Sequence, residues 1–103
     1  MKRGEVRWYK FKPPDKKRPV LILIRTSAIG YLAELTVAPN TSTIRDIPSE
    51  VLLTKEDGMN GECVVNLDHV QTVAKGKIGA RITDLSSTKM NEVRHAISFA
   101  LDL

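Results

Sequence analysis

A run of five apolar residues, Val20-Leu21-Ile22-Leu23-Ile24, follows directly after three cations and a proline. An unbroken apolar run of this length, rich in isoleucine, is typical of a strand that is buried on both faces. Pro19 fixes its own φ angle and biases Arg18 towards an extended conformation. The run therefore predicts a rigid strand inside a sheet, with the charges of Lys16, Lys17 and Arg18 at its mouth.

Two interpretations of these three cations stay open. Positive charges on a rigid element suit an anion-binding site, and an arginine guanidinium keeps its charge throughout the physiological pH range. Cations that flank an aggregation-prone apolar strand also keep a chain soluble, and the stretch taken alone favours this second interpretation.

The bulk properties limit the kinds of protein that the chain can be. Its 103 residues predict one domain, spanning 1–103, and its net charge of +4 favours a polyanionic partner. Cys63 is the sole cysteine, which excludes an internal disulfide framework and favours a reducing compartment. Because no apolar stretch has the length of a signal peptide or a membrane span, we expect a cytoplasmic protein with no membrane association.

Alternating apolar residues and turn residues predict about six short strands followed by one helix. The predicted strands are Val6–Phe11, Val20–Ile24, Tyr31–Ala38, Ile47–Leu53, Cys63–Val73 and Ile78–Ile82, with a break at Pro39-Asn40. Ser86 or Ser87 is expected to cap the helix, whose apolar stripe is Met90, Val93, Ala96, Ile97, Ala100 and Leu101. The pattern predicts a mainly β (α+β) fold, a small twisted or barrel-like antiparallel sheet on which the helix packs.

Most catalytic signatures are missing from the sequence. It has no glycine-rich phosphate loop and no metal-ligand spacing, so we expect neither a metal nor a cofactor. The loop Thr41-Ser42-Thr43-Ile44-Arg45 can be set beside Arg18, because hydroxyl and guanidinium groups hydrogen-bond phosphate oxygens. Local turn chemistry explains the same hydroxyls, and the loop alone favours that explanation.

The remaining reactive and aromatic side chains carry weaker predictions. Trp8 and Phe11 lie on opposite faces of the first strand, where they could stack on bases or belong to the core. His69 is not expected to act as a general base, because Asp68 points to the other face of the strand. His95 is expected on the surface, and Cys63 is expected to be an inert thiol.

Several segments, in their order and spacing, resemble the MazF/PemK toxins of bacterial toxin-antitoxin systems. They are Gly4–Trp8, Arg18–Ile22, Pro39–Val51 and Val64–Val73, followed by the closing helix. No single motif is specific, but the order covers nearly the whole chain. The resemblance implies a small SH3-like antiparallel barrel with a C-terminal helix, of the MazF/PemK/CcdB-like type, and a homodimer.

The resemblance also implies an activity, a sequence-specific endoribonuclease toxin that cleaves single-stranded RNA such as mRNA without a metal. The ribose 2′-hydroxyl would attack the phosphate, leaving a 2′,3′-cyclic phosphate and a 5′-hydroxyl. Arg18 and Thr41 match the family's catalytic residues. The residues expected to bind RNA are Trp8, Phe11, Lys16, Lys17, Ser42, Thr43 and Arg45. A cognate acidic antitoxin would cover the basic groove and neutralise the toxin.

Two departures from the family pattern bear on which sequence is cut. The turn Phe11–Lys17 is shorter than in many relatives and lacks their Gly and Glu, with Asp15 as the candidate substitute. Pro39-Asn40 stands before Thr41 where an apolar pair is more usual. Two alternative functions stay open, a CcdB-like toxin that binds DNA gyrase without catalysis and a barrel that binds nucleic acid without cleaving it. Gyrase binding in that group uses a tryptophan on the terminal helix, whereas Trp8 lies on the first strand.

Overall fold

The computed structural model describes residues 1–13 and 16–103, which form a curled antiparallel sheet that ends in a helix. The strands are β1 (Glu5–Lys10), β2 (Lys17–Ile22), β3 (Glu34–Thr41), β4 (Glu50–Leu53), β5 (Cys63–Asn66), β6 (Gln71–Ala74) and β7 (Ile78–Asp84), and the helices are α1 (Thr26–Ile29) and α2 (Ser87–Leu101). The sheet order is β4-β5-β3-β2-β1-β7, with β6 also paired to β3. The predicted mainly β fold with a terminal helix is confirmed. Of the predicted turn before β2, Pro14 and Asp15 lie outside the described residues.

The apolar run forms a central strand, as predicted. Residues Val20–Ile22 are fully buried in β2, which pairs with β1 on one side and β3 on the other. The strand is displaced from its predicted bounds, because it begins at Lys17 and ends at Ile22. Leu23 and Ile24 lie beyond it and are half-buried. Their two amides donate to the same carbonyl, that of Thr36, so the chain leaves the regular ladder there.

β3 continues through Thr41, and the prediction that Pro39 and Asn40 break this strand is wrong. Pro39 pairs with Val20 of β2. On the other edge of β3, pairing with β6 ends at Val37 and pairing with β5 begins at Asn40. Pro39 lies between these two partners, where the missing N–H of a proline is tolerated. As a result, Asn40 and Thr41 belong to a rigid strand and not to a loop.

The single long strand predicted between Cys63 and Val73 is also wrong. It is divided into β5 and β6 by a 3-10 turn at Leu67–His69. The Asn66 side chain accepts a hydrogen bond from the amide of Asp68 at 3.0 Å, and the amide of Leu67 donates to the carbonyl of Ser49 at 2.9 Å. These bonds take the place of the ladder and turn the chain.

Apolar side chains pack on both faces of the sheet. The face under α2 holds Val6, Leu21, Ala38, Val51, Leu53, Met59, Val65 and Leu67, together with Val93 and Ala96 of the helix. The opposite face, partly covered by α1, holds Tyr9, Val20, Ile22, Ile29, Leu35, Val37 and Val73. The sheet is therefore buried along its centre, which leaves its ends as the places where polar groups can meet a ligand.

The terminal helix packs largely as predicted. The Ser86 hydroxyl caps it by accepting the amide of Lys89 at 3.1 Å. Val93 and Ala96 are buried, but Leu101 is 57% exposed, so its assignment to the buried stripe is wrong. No helix in the described part of the chain is long and apolar enough to span a membrane.

Candidate functional site

A cavity of about 420 Å³ lies at the Lys17 end of β2 and the Thr41 end of β3. Its walls are Trp8 of β1, Arg18 and Pro19 of β2, residues 40–43, residues 59–63 and Ile82 of β7. This volume lies within the range of about 300–1,000 Å³ that is usual for small-molecule sites. The basic stretch and the hydroxyl-rich loop, which are far apart in the sequence, both reach this cavity.

The pairing of β2 with β3 brings Arg18 and Thr41 together. The register is fixed by the pairs from Ile22–Val37 to Val20–Pro39. The paired region ends at Val20–Pro39, so Arg18 and Thr41 lie two residues beyond it on their strands. Both residues line the cavity, which places a guanidinium and a hydroxyl in one site at the open end of the sheet.

Arg18 differs from three of the other arginines in its surroundings. Arg7, Arg45 and Arg81 each pair with a carboxylate, at 2.7, 3.3 and 3.1 Å. Arg18 is exposed and belongs to none of the ion pairs formed within residues 1–13 and 16–103. Its guanidinium, with five N–H donors in a fixed planar array, is therefore available to an anion.

The Thr41 hydroxyl takes part in the local turn chemistry that the sequence favours. Its Oγ1 accepts a hydrogen bond from the amide of Thr43 at 3.2 Å. Because the oxygen accepts this bond, the hydroxyl proton remains available for donation to a ligand. Ser42 and Thr43 are exposed and line the same cavity. The turn interpretation and the anion-binding interpretation are thus compatible for the same atom.

Trp8 and Lys17 meet at the cavity. Trp8 is half-buried, and the Lys17 ammonium lies 5.0 Å from the centroid of its ring. An ammonium over an indole face is held by a cation–π attraction. This contact places a positive charge next to the one aromatic side chain that lines the cavity.

Four of the residues expected to bind RNA are not part of the cavity lining, and Lys17, which lies over Trp8, is one of them. Phe11 contacts Tyr9, with ring centroids 4.8 Å apart, and packs against the core cluster opposite α2. Arg45 is exposed and pairs with Glu50, whose carboxylate also accepts the backbone amide of Arg45 at 2.9 Å. Lys16 is exposed immediately before β2. These side chains contribute only to the surroundings of the cavity.

Sequence reasoning missed the most unusual side chain of the cavity. Asn40 is 2% exposed, and neither its Nδ2 nor its Oδ1 forms a hydrogen bond within residues 1–13 and 16–103. Leaving a buried amide unpaired costs about 1–3 kcal/mol. The signal was Asn40 itself, a polar residue in the Pro39-Asn40 pair that we interpreted as a strand break. Once β3 is seen to continue, Asn40 becomes a buried amide within a strand.

The loop before β5 forms one wall of the cavity. Met59 is buried in the core under α2 and anchors the loop. Gly58 has a φ of +96°, and the Thr83 hydroxyl beside it donates to the carbonyl of Asp57 at 2.8 Å. The Asp57 carboxylate in turn accepts the amide of Thr54 at 2.9 Å. These contacts hold the wall in a fixed position.

The thiol and the histidines show no sign of a catalytic role. Burial raises the pKa of the Cys63 thiol, and the Asp57 charge acts in the same direction. The neighbouring Asn40 side chain opposes this shift only in part, without meeting hydrogen-bond geometry, so the thiol stays protonated. His95 is exposed on α2, as predicted, and His69 lies exposed in a 3-10 turn outside the cavity.

A family model described as a PemK-like, MazF-like toxin of type II toxin-antitoxin systems matches residues 2–101. The chain belongs to this family. It is 38% identical to endoribonuclease MazF3 of Mycobacterium tuberculosis over 86% of each chain. It is also 37% identical to the probable endoribonuclease MazF5 of the same species, over 97% of this chain and 92% of the relative. The predicted family and the endoribonuclease class are thereby confirmed.

Solved structures of MazF proteins have the same fold. The Mycobacterium tuberculosis toxin MazF-mt6 superposes with a TM-score of 0.89 at 34% identity, covering 96% of this chain and 97% of that one. An endoribonuclease from a Mycobacterial species, solved in complex with its cognate antitoxin, gives 0.88 at 26% identity and covers 100% and 96%. The predicted MazF/PemK-like barrel with a C-terminal helix is confirmed.

Proposed function

We propose that this MazF/PemK-family protein is a toxin that cleaves single-stranded RNA at a short recognised sequence, without a metal. The observation that supports the proposal is the cavity itself, whose lining includes both the exposed Arg18 and Thr41. A phosphate placed between them would meet a permanent positive charge and a hydroxyl donor. Such groups recognise phosphodiesters irrespective of base sequence.

The proposed reaction uses a nucleophile that the substrate supplies. The 2′-oxygen passes its proton to solvent water and forms a bond to the adjacent phosphorus, while the bond from phosphorus to the 5′-oxygen breaks. The 5′-oxygen takes up a proton from solvent water, and the products are a 2′,3′-cyclic phosphate and a 5′-hydroxyl. Since nucleophile and phosphate belong to one chain, the protein has to hold them in line and stabilise the developing charge.

The roles of Arg18 and Thr41 follow from their chemistry. An arginine side chain stays protonated in proteins, so Arg18 serves as a fixed charge that stabilises the oxygens of the transition state and does not transfer protons. Thr41 donates its hydroxyl proton to a phosphate oxygen, while the Thr43 amide holds its oxygen in place. Ser42 and Thr43 add hydroxyl donors at the rim.

The proposed RNA path passes over the basic side of the cavity. Lys17 and Trp8 offer a charge and an aromatic surface for a base, and stacking on an aromatic side chain is a common way to hold single-stranded RNA. Lys16 extends the positive charge away from the cavity. Phe11 and Arg45 contribute less, since Phe11 packs against the core and Arg45 is paired with Glu50.

The proposed partners are a second copy of the chain and an acidic antitoxin. The net charge of +4 suits a flexible acidic segment that competes with RNA for the basic surface. The related endoribonuclease solved with its cognate antitoxin supports this assignment. Because its substrate would be mRNA, we place the protein in the cytoplasm.

The test uses the purified protein and mixed-sequence single-stranded RNA in excess EDTA, with sequencing of all fragment ends. Arg18→Ala and Thr41→Ala are compared with Arg94→Ala, a control that removes an exposed arginine of α2 away from the cavity. We expect cuts at a recurring short sequence with cyclic-phosphate ends, lost in the first two variants and kept in the control.

Other results would redirect the assignment. Equal cleavage by Arg18→Ala and the wild type would remove Arg18 from the mechanism. Intact RNA that remains bound to the wild-type protein would favour the binding barrel. Intact RNA together with inhibition of DNA gyrase would favour the CcdB-like alternative.

A further inference from the structure

Asn40 is the one buried side chain in residues 1–13 and 16–103 whose polar atoms all lack a hydrogen-bond partner within the protein. Asn66 is the natural comparison, since it is buried to a similar degree but accepts the amide of Asp68 at 3.0 Å. Buried amides in folded proteins are almost always paired. The unpaired amide of Asn40 thus points to a partner that comes from outside the chain.

The position of Asn40 shows where such a partner would bind. β1 pairs Trp8 with Pro19, and the β2–β3 register continued by one residue sets Pro19 opposite Asn40. Trp8, Pro19 and Asn40 therefore share one face of the sheet, and all three line the cavity. Arg18 and Thr41, one residue further along their strands, share the other face at the open end. The amide is thus one residue away from both groups proposed to hold the phosphate.

The chemistry of this face fits a nucleobase. A side-chain amide presents a donor and an acceptor side by side in one plane, and the edges of the bases carry matching pairs of acceptor and donor. The surrounding wall includes Pro19, Met59 and Ile82, which offer apolar contact to a flat ring. Burial raises the pKa of the nearby Cys63 thiol, and a neutral thiol is only a weak partner for the Asn40 amide, with which it forms no hydrogen bond of acceptable geometry.

We propose that Asn40 reads the base edge of one of the two nucleotides that flank the scissile phosphate, and so determines sequence specificity at that position. This inference rests on the proposed ribonuclease function. Asn40 is a binding residue in this account and takes no part in proton transfer.

The experiment compares the wild type, Asn40→Leu, Asn40→Ala and the control Arg94→Ala, which removes an exposed arginine of α2 away from the cavity. Each folded protein receives a randomised single-stranded RNA, and the cut positions are sequenced. In a second arm, each protein retains members of a randomised 2′-O-methyl RNA, which cannot react through its blocked 2′-oxygen. The retained sequences are then read. Thermal melting shows that each variant is folded, and two substitutions of different size guard against a packing defect.

We expect one strong base preference beside the cut in the wild type and in Arg94→Ala. In the Asn40 variants, kcat/KM on the preferred sequence should fall about 5- to 150-fold, the value of one bidentate base contact. The preference should disappear at that position alone and persist at the others. Unchanged preferences in both arms, or an equal loss of rate on every sequence, would overturn the inference.

The two arms separate this inference from the proposed activity. If nothing is cleaved but the bound 2′-O-methyl RNA shows a base preference that depends on Asn40, the inference stands and the ribonuclease proposal fails. If cleavage occurs with preferences that do not depend on Asn40, the ribonuclease proposal stands and the inference fails. If the wild type neither cuts nor binds RNA, both fail.

Discussion

Two polar regions of the same sheet are built in opposite ways. Near the start of β1, the buried Glu5 accepts from Arg7 Nε at 2.7 Å, and Arg7 Nη1 donates to the carbonyl of Gly79 at 2.7 Å. At the far end of β2 and β3, Arg18 has no carboxylate partner among the described residues, and the Asn40 amide is unpaired. Polar groups that stabilise the fold are satisfied by the chain itself, whereas those proposed to act on RNA are left for the substrate to satisfy.

The largest expected effects come from removing the side chain of one arginine in each region. Arg18→Ala should lower the cleavage rate by about 10²- to 10³-fold, the usual loss when one charge-stabilising donor is removed. Its free energy of unfolding should change by no more than about 0.5 kcal/mol, because the side chain is exposed. Arg7→Ala should cost about 2–3 kcal/mol, because it leaves the Glu5 carboxylate buried without its partner. This cost is smaller than the loss of about 3–5 kcal/mol for breaking a fully buried ion pair, because the Arg7 side chain is 21% exposed.

Denaturant unfolding and single-turnover cleavage, measured on the same samples, separate the two effects. Activity per folded molecule should survive in Arg7→Ala and stability should survive in Arg18→Ala. A loss of stability in Arg18→Ala, or of activity per folded molecule in Arg7→Ala, would contradict the assignment of stability to one region and activity to the other.

A second test displaces the loop that forms one wall of the cavity and leaves the polar side chains of the cavity unchanged. A Cβ on Gly58 would lie 2.2 Å from Oγ1 and 2.7 Å from Cβ of Thr83, at a φ of +96° that disfavours other residues. Gly58→Ala should therefore cost about 2–3 kcal/mol, from backbone strain and from the hydrogen bond between Thr83 and Asp57. Thermal and denaturant unfolding measure this loss.

The matched control is Gly30→Ala. Gly30 has a φ of −69°, and a Cβ there would meet no atom within 4 Å. The control should be neutral or more stable by about 0.4–1 kcal/mol. Equal destabilisation by both substitutions would show that the conformation at Gly58 is not what holds the wall.

The sequence predicted the elements whose signal is local. The apolar run at Val20–Ile22 identified the central strand, and the serine before the terminal stripe identified the start of α2. The chemistry of Arg18 and of the hydroxyls after it also followed from residue type and from the order of segments. These inferences needed no knowledge of how distant strands pair.

What the sequence could not predict depends on long-range pairing. Pro39 is a strong local signal for a break, but the change of partner from β6 to β5 lets β3 pass through it. The long alternating pattern after Cys63 hides a turn that a side-chain bond from Asn66 creates. The cavity that Arg18 and Thr41 both line forms only once β2 and β3 are paired. The unpaired state of Asn40 is visible only after all surrounding atoms are in position.

A third test uses pH to examine the satisfied region. Burial alone would raise the pKa of Glu5, but the hydrogen bond and charge of Arg7 outweigh it and hold the pKa below its ordinary value. A lowered pKa in the folded state adds stability that is complete above the unfolded value of about 4.3 and is lost as pH falls through the folded value. The difference in unfolding free energy between the wild type and Glu5→Gln should thus be largest near neutral pH and shrink below about pH 4. A difference that is constant from pH 7 to pH 3 would mean that the Glu5 charge does not stabilise the fold.

The prediction with the smallest expected effect compares the two regions most directly, because it substitutes an asparagine in each. Asn66→Leu should cost about 1–2 kcal/mol, since the Asp68 amide loses its acceptor. Asn40→Leu should be neutral or stabilising by up to about 1 kcal/mol, because it removes an unpaired amide and adds apolar contact in a cavity wall. Denaturant unfolding of the two variants without RNA measures the difference. If Asn40→Leu lowers the free energy of unfolding as much as Asn66→Leu does, the Asn40 amide already has a hydrogen-bond partner in the free protein and is not available to a ligand.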